Sequence, residues 1–355
     1  MAEQILVSPI TDPLYKDQWN LQMLNIDENV WTKTTGRGVK VAILDSGLDY
    51  VHNDLGWDKY VYIDANDSET ARKAKTSEAL EAIRKGTHPK VGGGWNFMDD
   101  NDDVYELFRH GTEVAGVVSN QMDGFGLVGV APDSMLYPYV VINRTGWGTP
   151  EFIAKGINKA VEEGCKVINI SLAFTYTTQS LTDAINNVPE DVIVVSATGN
   201  NNKLRSMWPG IYDKVLEVGG CNSKGTRWVH DKNIGSNWNS NIMCTLPGDA
   251  QKVSFWMRWR QTDGEGTSLA TAHMTGIVAL LKELKPSITL AEVKELISKY
   301  SSLKVKDEQV GYGVPNVAAM VDTVYNDTDY VQLAAEIEEM SIKLEKLAQR
   351  VRLLE

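Results

Sequence analysis

Residues 39–47 read VKVAILDSG, an apolar run interrupted only by Lys40 and closed by Asp45 and a Ser-Gly turn. A strand with one wet face would alternate apolar and polar residues. This one offers no polar face, as expected of a parallel strand covered by helices on both sides. Outward from it, 134–142 (SMLYPYVVI), 166–172 (KVINISL), 191–197 (DVIVVSA) and 214–220 (KVLEVGG) have the same character and are bounded by Gly, Asp or Asn. Helical patterns lie between them, notably 110–120 (HGTEVAGVVSN) and 149–164 (TPEFIAKGINKAVEEG). Strands alternating with helices form βαβ units. The expected fold class is α/β, with a mainly parallel sheet between two layers of helices.

At 355 residues the chain can bury one large core and carry an appendage. Two segments break the βαβ rhythm. The first, about 58–90, contains SETARKAKTSEALEAIRKG (68–86), whose alternating charges and closing Gly86 predict an exposed helix that decorates the surface. The second starts at Tyr330, with Tyr330, Ile337, Leu344 and Val351 at a positions of a heptad and Leu333, Met340, Leu347 and Leu354 at d. Leu at d with some β-branching at a leans towards a parallel dimer. Ala334, Ser341 and Ala348 at e widen the apolar stripe, which suits antiparallel or higher-order packing, or docking on the chain's own surface. The expected division is an N-terminal extension 1–11, a main domain 12–325 with an insertion at about 58–90, and a coiled-coil helix 330–355. Self-association through that helix is slightly favoured.

Charged residues make up 23% and hydrophobic ones 43%, ordinary for a soluble globular protein. The formal charge of −12 provides no broad positive field, so neither nucleic acid nor anionic membrane is an expected partner. The three cysteines, Cys165, Cys221 and Cys244, are too few for a disulfide framework and flank strand-like runs, which predicts buried inert thiols. No run approaches the roughly 18 apolar residues of a membrane span, and the N-terminus lacks a basic segment followed by a long apolar one. A full-length chain would be expected in the cytoplasm; a trimmed one would be a secreted mature domain.

Four places carry chemistry. Asp45 stands at the C-terminal end of a parallel strand, the edge where ligands and catalytic groups gather in open α/β sheets. His110 opens a helix with small residues behind it. Ser268, in EGTSLATAHMTGIVALL, has its hydroxyl at the positive end of a long apolar helix, beside backbone N–H groups suited to a developing oxyanion. Asn200 ends the run VIVVSATGNN with an amide that can serve as a second donor. Each has a plain structural alternative: a turn, a core histidine, a helix cap. Their joint order, Asp, His, Asn, Ser, does not.

In VAILDSGLDYVHNDL, RHGTEVAGVV, GLVGVAP, VINISLA, ATGNN, MWPGIY, GTSLATAHMTG and GYGVPN the sequence resembles the subtilase family, from about Asp12 to Asn316. The resemblance implies a subtilisin-like serine endopeptidase. Ser268 would be the nucleophile, His110 general base then acid, and Asp45 its orienter, with Asn200 and the Ser268 N–H as oxyanion hole. It implies an extended polypeptide substrate laid between Gly146, Trp147, Gly148 and Ser171, Leu172, Ala173, recognised by β-augmentation. It also implies a cis bond between Trp208 and Pro209. A structural calcium ion would be held by Asp12, Asp54 and the loop QMDGFGL through Asp123 and the carbonyls of Gln121, Phe125 and Leu127. Intracellular members carry a proline-bearing N-terminal extension over the cleft, and ILVSPIT bears a loose similarity to it.

The departures fall at Glu113, where the family has His, at Ala173 and Ala272, where Gly and Pro are usual, and at Met207, usually a Gly at the base of the S1 pocket. A thioether at 207 would take space that a large P1 side chain needs, unless it rotates away. Besides a general peptidase, two readings stand: a silent scaffold that binds peptides in the cleft, and a restricted-specificity processing protease.

Overall fold

The computed structural model describes residues 10–327 except 65, 107 and 256–259, and in addition 337 and 340–344. Among these, seven strands form one parallel sheet: β1 (Lys40–Asp45), β2 (Trp95–Asn96), β3 (Met135–Val140), β4 (Val167–Ile170), β5 (Ile193–Ala197), β6 (Val215–Cys221) and β7 (Cys244–Pro247). Their order is β2-β3-β1-β4-β5-β6-β7. The helices are α1 (Trp19–Met23), α2 (Glu28–Trp31), α3 (Glu69–Arg84), α4 (His110–Ser119), α5 (Pro150–Glu162), α6 (Gln179–Asn186), α7 (Thr267–Leu284), α8 (Leu290–Tyr300) and α9 (Val317–Asp327).

Continuous apolar strands arise because each feeds two cores. Val41 and Ile43 of β1 pack with residues of α4 and α7 on one face, while Ala42 and Leu44 pack with residues of α5 and α6 on the other. α5 shows how the sequence achieves this: Pro150 occupies its first turn, and Ile153, Ala154, Ile157 and Ala160 form one buried stripe. α7 differs. Every residue except Glu283 is buried, so it threads the middle of the molecule rather than lying on it.

β1 has β3 on one side and β4 on the other, so the direction of winding reverses at its C-terminal end. The crevice at such a reversal is where α/β proteins place their chemistry, and Asp45 stands there.

Two stretches depart from the sequence reading. α3 is not simply exposed: Arg72, Thr76, Ala79 and Ile83 are buried at a helical repeat, with Arg72 3.7 Å from Asp103 and its guanidinium 5.0 Å above the Tyr105 ring. Its alternating charges conceal that stripe. An antiparallel ribbon, β8 (Gln251–Phe255) with β9 (Arg260–Gly264), also went unpredicted.

The Trp208–Pro209 bond is cis, and all three thiols are buried and free, as expected. Among the described residues no helix is long and apolar enough to cross a membrane. The N-terminal extension up to Pro9 and most of the heptad tail lie outside the described residues. Within the tail, 337 and 340–344 are helical. The seam positions Ile337, Met340 and Leu344 are 50%, 55% and 67% exposed, so the burial expected of them is not met within one chain.

Candidate active site

Asp45, at the end of β1, is fully buried and held by its own turn: its Oδ1 accepts from the Ser46 N–H at 2.8 Å and from the Ser46 hydroxyl at 3.1 Å. The Ser46 hydroxyl in turn accepts from the Gly111 N–H at 2.9 Å, tying the strand end to the start of α4. Only glycine fits at 111, because a Cβ there would lie 2.0 Å from the Gly47 carbonyl oxygen. This close approach sets His110 over Asp45. The imidazole Nδ1 lies 2.8 and 2.9 Å from the two Asp45 oxygens. Facing a carboxylate, Nδ1 carries the proton, which leaves Nε2 as the acceptor of a neutral ring.

Arg109, just before the histidine, is held at φ +89°, a strained conformation for a residue with a Cβ. Glu106 supports that turn from beneath. Fully buried, it accepts from the Phe108 N–H at 2.7 Å and the Thr112 N–H at 2.9 Å, doing for α4 what a capping side chain would. Sequence reasoning passed over Glu106. Its one signal was an acidic residue four positions before His110.

The electrostatics favour the protonated ring. Burial alone would lower the His110 pKa, but the charge and hydrogen bond of Asp45, with Glu113 and Glu106 nearby, outweigh it and hold the imidazole at about 9. Glu113, the departure from the usual histidine, is itself buried one turn further along α4.

Ser268 is the second residue of α7 and is 8% exposed. Gly266 before the helix adopts φ +134°, which a side chain would resist. Within the first turn, the Thr267 N–H and hydroxyl donate to Asn200 Oδ1 at 2.9 and 2.7 Å. With its oxygen thus engaged, the Asn200 amide presents Nδ2 towards Gly266 and the start of α7. The Ser268 N–H, in the first turn, has no intrahelical acceptor. A side-chain amide and the N–H of a helix start are thereby gathered at the head of α7. Thr267, which sets this arrangement, was not singled out from the sequence.

The Ser268 hydroxyl donates to the Ser171 carbonyl at 3.1 Å rather than to His110. A hydroxyl rotates freely, and catalytic hydrogen bonds often form only when substrate arrives. The segment Ser171–Ala173 is locked to α7: Thr275 donates to Asn169, Asn169 to Ser171 and the Ser171 hydroxyl to the Ser268 carbonyl, at 2.9, 2.9 and 3.0 Å. Gly146, Trp147 and Gly148 lie on a turn in which the Asn143 N–H donates to the Trp147 carbonyl, with Trp147 58% exposed.

Met207 is buried, and its Cγ lies 3.6 Å from where a Cβ on Gly199 would sit, with Ala173 Cβ 3.7 Å from the same point.

The expected cation ligands are partly gathered. Asp12 Oδ1 accepts from the Asp123 and Gly124 N–H groups, and Asp54 Oδ2 from the Leu127 N–H. The other oxygens, Asp12 Oδ2 and Asp54 Oδ1, are buried without a partner, the condition a hard cation relieves. The Asp123 carboxylate turns back on its own loop to accept from the Phe125 N–H, and among the described residues no three acidic, His or Cys side chains form one cluster. Gln121 contributes its N–H to the Asp54 carbonyl.

The sequence profile of the subtilase family (peptidase S8) matches residues 36–313. An intracellular serine protease of Paenibacillus polymyxa is 32% identical over 267 residues, covering 72% of this chain and 70% of that protein. The minor extracellular protease Epr of Bacillus subtilis (strain 168) is 25% identical over 336 residues; these cover 93% of this chain and only 46% of the relative. Among solved structures, a protease from Pseudoalteromonas arctica superposes with a TM-score of 0.69 at 25% identity, covering 89% of this chain and all of that one. The relatives thus include both intracellular and secreted proteases.

Proposed function

Because this chain belongs to the subtilase family, we propose that it is a serine endopeptidase that works through an acyl-enzyme on Ser268. The observation that supports this best is the pairing of His110 with both oxygens of the buried Asp45, beside a serine at a helix start. Ser268 Oγ attacks the peptide carbonyl and passes its proton to His110 Nε2, while Asp45 stabilises the imidazolium through Nδ1. Asn200 Nδ2 and the Ser268 N–H take the oxyanion. The imidazolium then protonates the leaving amine, and water repeats the sequence to free the acid. Labelling with a fluorophosphonate tests the assignment. A label on Ser268 that is lost in Ser268→Ala supports it, and a folded chain that stays unlabelled favours the peptide-binding scaffold.

The base must be neutral to accept a proton, and with the ring held at about 9 the neutral form grows as pH rises towards that value. We expect kcat/KM to climb through neutral pH, reach half its plateau near pH 9 and level off only above it, and Glu113→Gln to move the rise to lower pH. A profile flat from about pH 6 to about pH 9 would count against His110 as the base.

Calcium suits the unpartnered oxygens of Asp12 and Asp54, with Asp123 and the carbonyls of Gln121, Phe125 and Leu127 as further donors. Its role is to neutralise buried charge and pin the N-terminal segment to the 121–127 loop. An ion bound only by the folded state adds about 2.7 kcal/mol at a hundredfold excess over Kd. Chelation is expected to lower the Tm by a few degrees, and calcium to restore it. An unchanged Tm with no metal in elemental analysis would refute the site.

The substrate is an extended polypeptide seated between 146–148 and 171–173, and the buried Met207 favours a processing enzyme of restricted specificity. The heptad tail, whose described seam positions are exposed in one chain, is proposed to pair with a second copy. A chain ending at Asp329 should show a lower mass by light scattering and still hydrolyse a short peptide. An unchanged mass rules the pairing out.

A further inference from the structure

β6 is buried along its whole length, yet it carries a carboxylate in its middle. Glu217 is 1% exposed and flanked by Leu216 and Val218. Its Oε1 accepts from Asn239 Nδ2 at 3.1 Å, and that same amide reaches the Thr198 hydroxyl and the Arg205 carbonyl. Its Oε2 is buried with no partner. Burial pushes the carboxyl up to about 7 against the opposing side-chain hydrogen bonds of Asn239 and Thr198, and the one cation that bears on it, Lys306, directs its ammonium to the Ser240 carbonyl. A carboxylate kept only for structure would be expected to satisfy both oxygens, because an unpaired one is costly in low dielectric.

The position of Glu217 gives that oxygen a use. Thr198, beside the carboxylate, directly precedes Gly199 and Asn200, the wall and the oxyanion donor of the site. On the opposite side the carboxylate presses against Gly210, where a Cβ would lie 2.8 Å from Glu217 Oε1. Gly210 belongs to the turn Met207–Ile211, closed by the Ile211 N–H on the Met207 carbonyl at 3.0 Å. That turn is stitched to the substrate segment by two hydrogen bonds between Phe174 and Trp208, at 2.8 and 3.0 Å. Ala173, Gly199 and Met207 lie together, the Met207 Cγ 3.6 Å and the Ala173 Cβ 3.7 Å from where a Cβ on Gly199 would sit, and Glu217 abuts the same stretch through Thr198 and Gly210. Met207 is unbranched and flexible, a side chain that can give way.

We propose that Glu217 is a specificity-determining residue, the acidic floor of the pocket for the side chain on the acyl side of the scissile bond, which selects lysine or arginine there. The inference rests on the peptidase reading above. A long cationic side chain threads past Met207 and places its charge on the unpartnered oxygen, whereas a leucine leaves that oxygen unpaired and Met207 in its way. Pockets that hold a buried charge discriminate strongly because the wrong ligand leaves it uncompensated.

The test uses fluorogenic peptides that differ only at P1, with Lys, Arg, Leu and Phe, on the full chain and on Glu217→Gln. We expect kcat/KM for the basic residues to exceed that for leucine by roughly 10-fold or more in the natural sequence, and the ratio to fall to about one in Glu217→Gln. The wild-type ratio needs no variant and decides by itself: a preference for Leu or Phe overturns the inference and leaves the peptidase standing. A basic preference that survives in a folded Glu217→Gln also overturns it, because the selecting charge then lies elsewhere. Failure to cleave any of the four removes both.

Discussion

Ser268→Ala should lower kcat by roughly a millionfold, leaving a trace above the uncatalysed rate, a magnitude carried over from subtilisin rather than obtained from this geometry. The residue is irreplaceable because of where it sits. Gly266 lets the chain enter α7 at φ +134°, and Thr267 is spent on Asn200, so no other hydroxyl has both the helix start and the cleft beside it. The oxyanion donors survive the substitution, and they account for the trace. Active-site titration with a sensitive fluorogenic peptide measures the effect. Retention of even a few per cent of the activity, with contamination excluded by mass spectrometry, would move the nucleophile elsewhere.

Asn200→Ala should reduce kcat by about 10²- to 10³-fold with KM nearly unchanged, a range that is subtilisin's own for its matching asparagine. The physical case here is the lock on its oxygen. Thr267 donates twice to Oδ1, so the amide cannot flip, and Nδ2 is turned towards Gly266 at the head of α7. The donor is organised before the substrate arrives and favours the tetrahedral oxyanion over the planar carbonyl. A rise in KM with kcat intact would make it a ground-state contact. Asn200→Asp keeps the size but presents an oxygen where a donor is needed, and should be no better than alanine.

The sheet was legible because burial on both faces leaves strands no polar alternation to confuse with anything else. β1, β3, β4 and β5 fall within the apolar runs read from the sequence, and β6 overruns its run by one residue, Cys221. β2 was not legible, being two residues after three glycines, nor was β7, a four-residue edge strand, and neither was the β8–β9 ribbon, whose pairing depends on a partner strand rather than on periodicity. In the site, the residues that react have motif context and were found; those that hold them do not. Ser46, Glu106 and Thr267 act through one or two hydrogen bonds each, to backbone or amide atoms brought close only by the fold. Glu217 looked like one polar interruption in KVLEVGG. Its significance depends on Asn239 and Gly210, distant in sequence or separated by a turn.

α7 has a further consequence through its depth. Helices at a protein's surface can fray and reclose while the rest of the molecule persists, and α3, with only one buried stripe, is of that kind. α7 cannot open by itself, because its sides are claimed by the sheet and by α4 and α9 together. Its amide hydrogens should therefore exchange with solvent only when the whole domain comes apart. The nucleophile rides on the last part of the molecule to let go, so heat should silence the enzyme in one cooperative step instead of wearing its activity down by degrees.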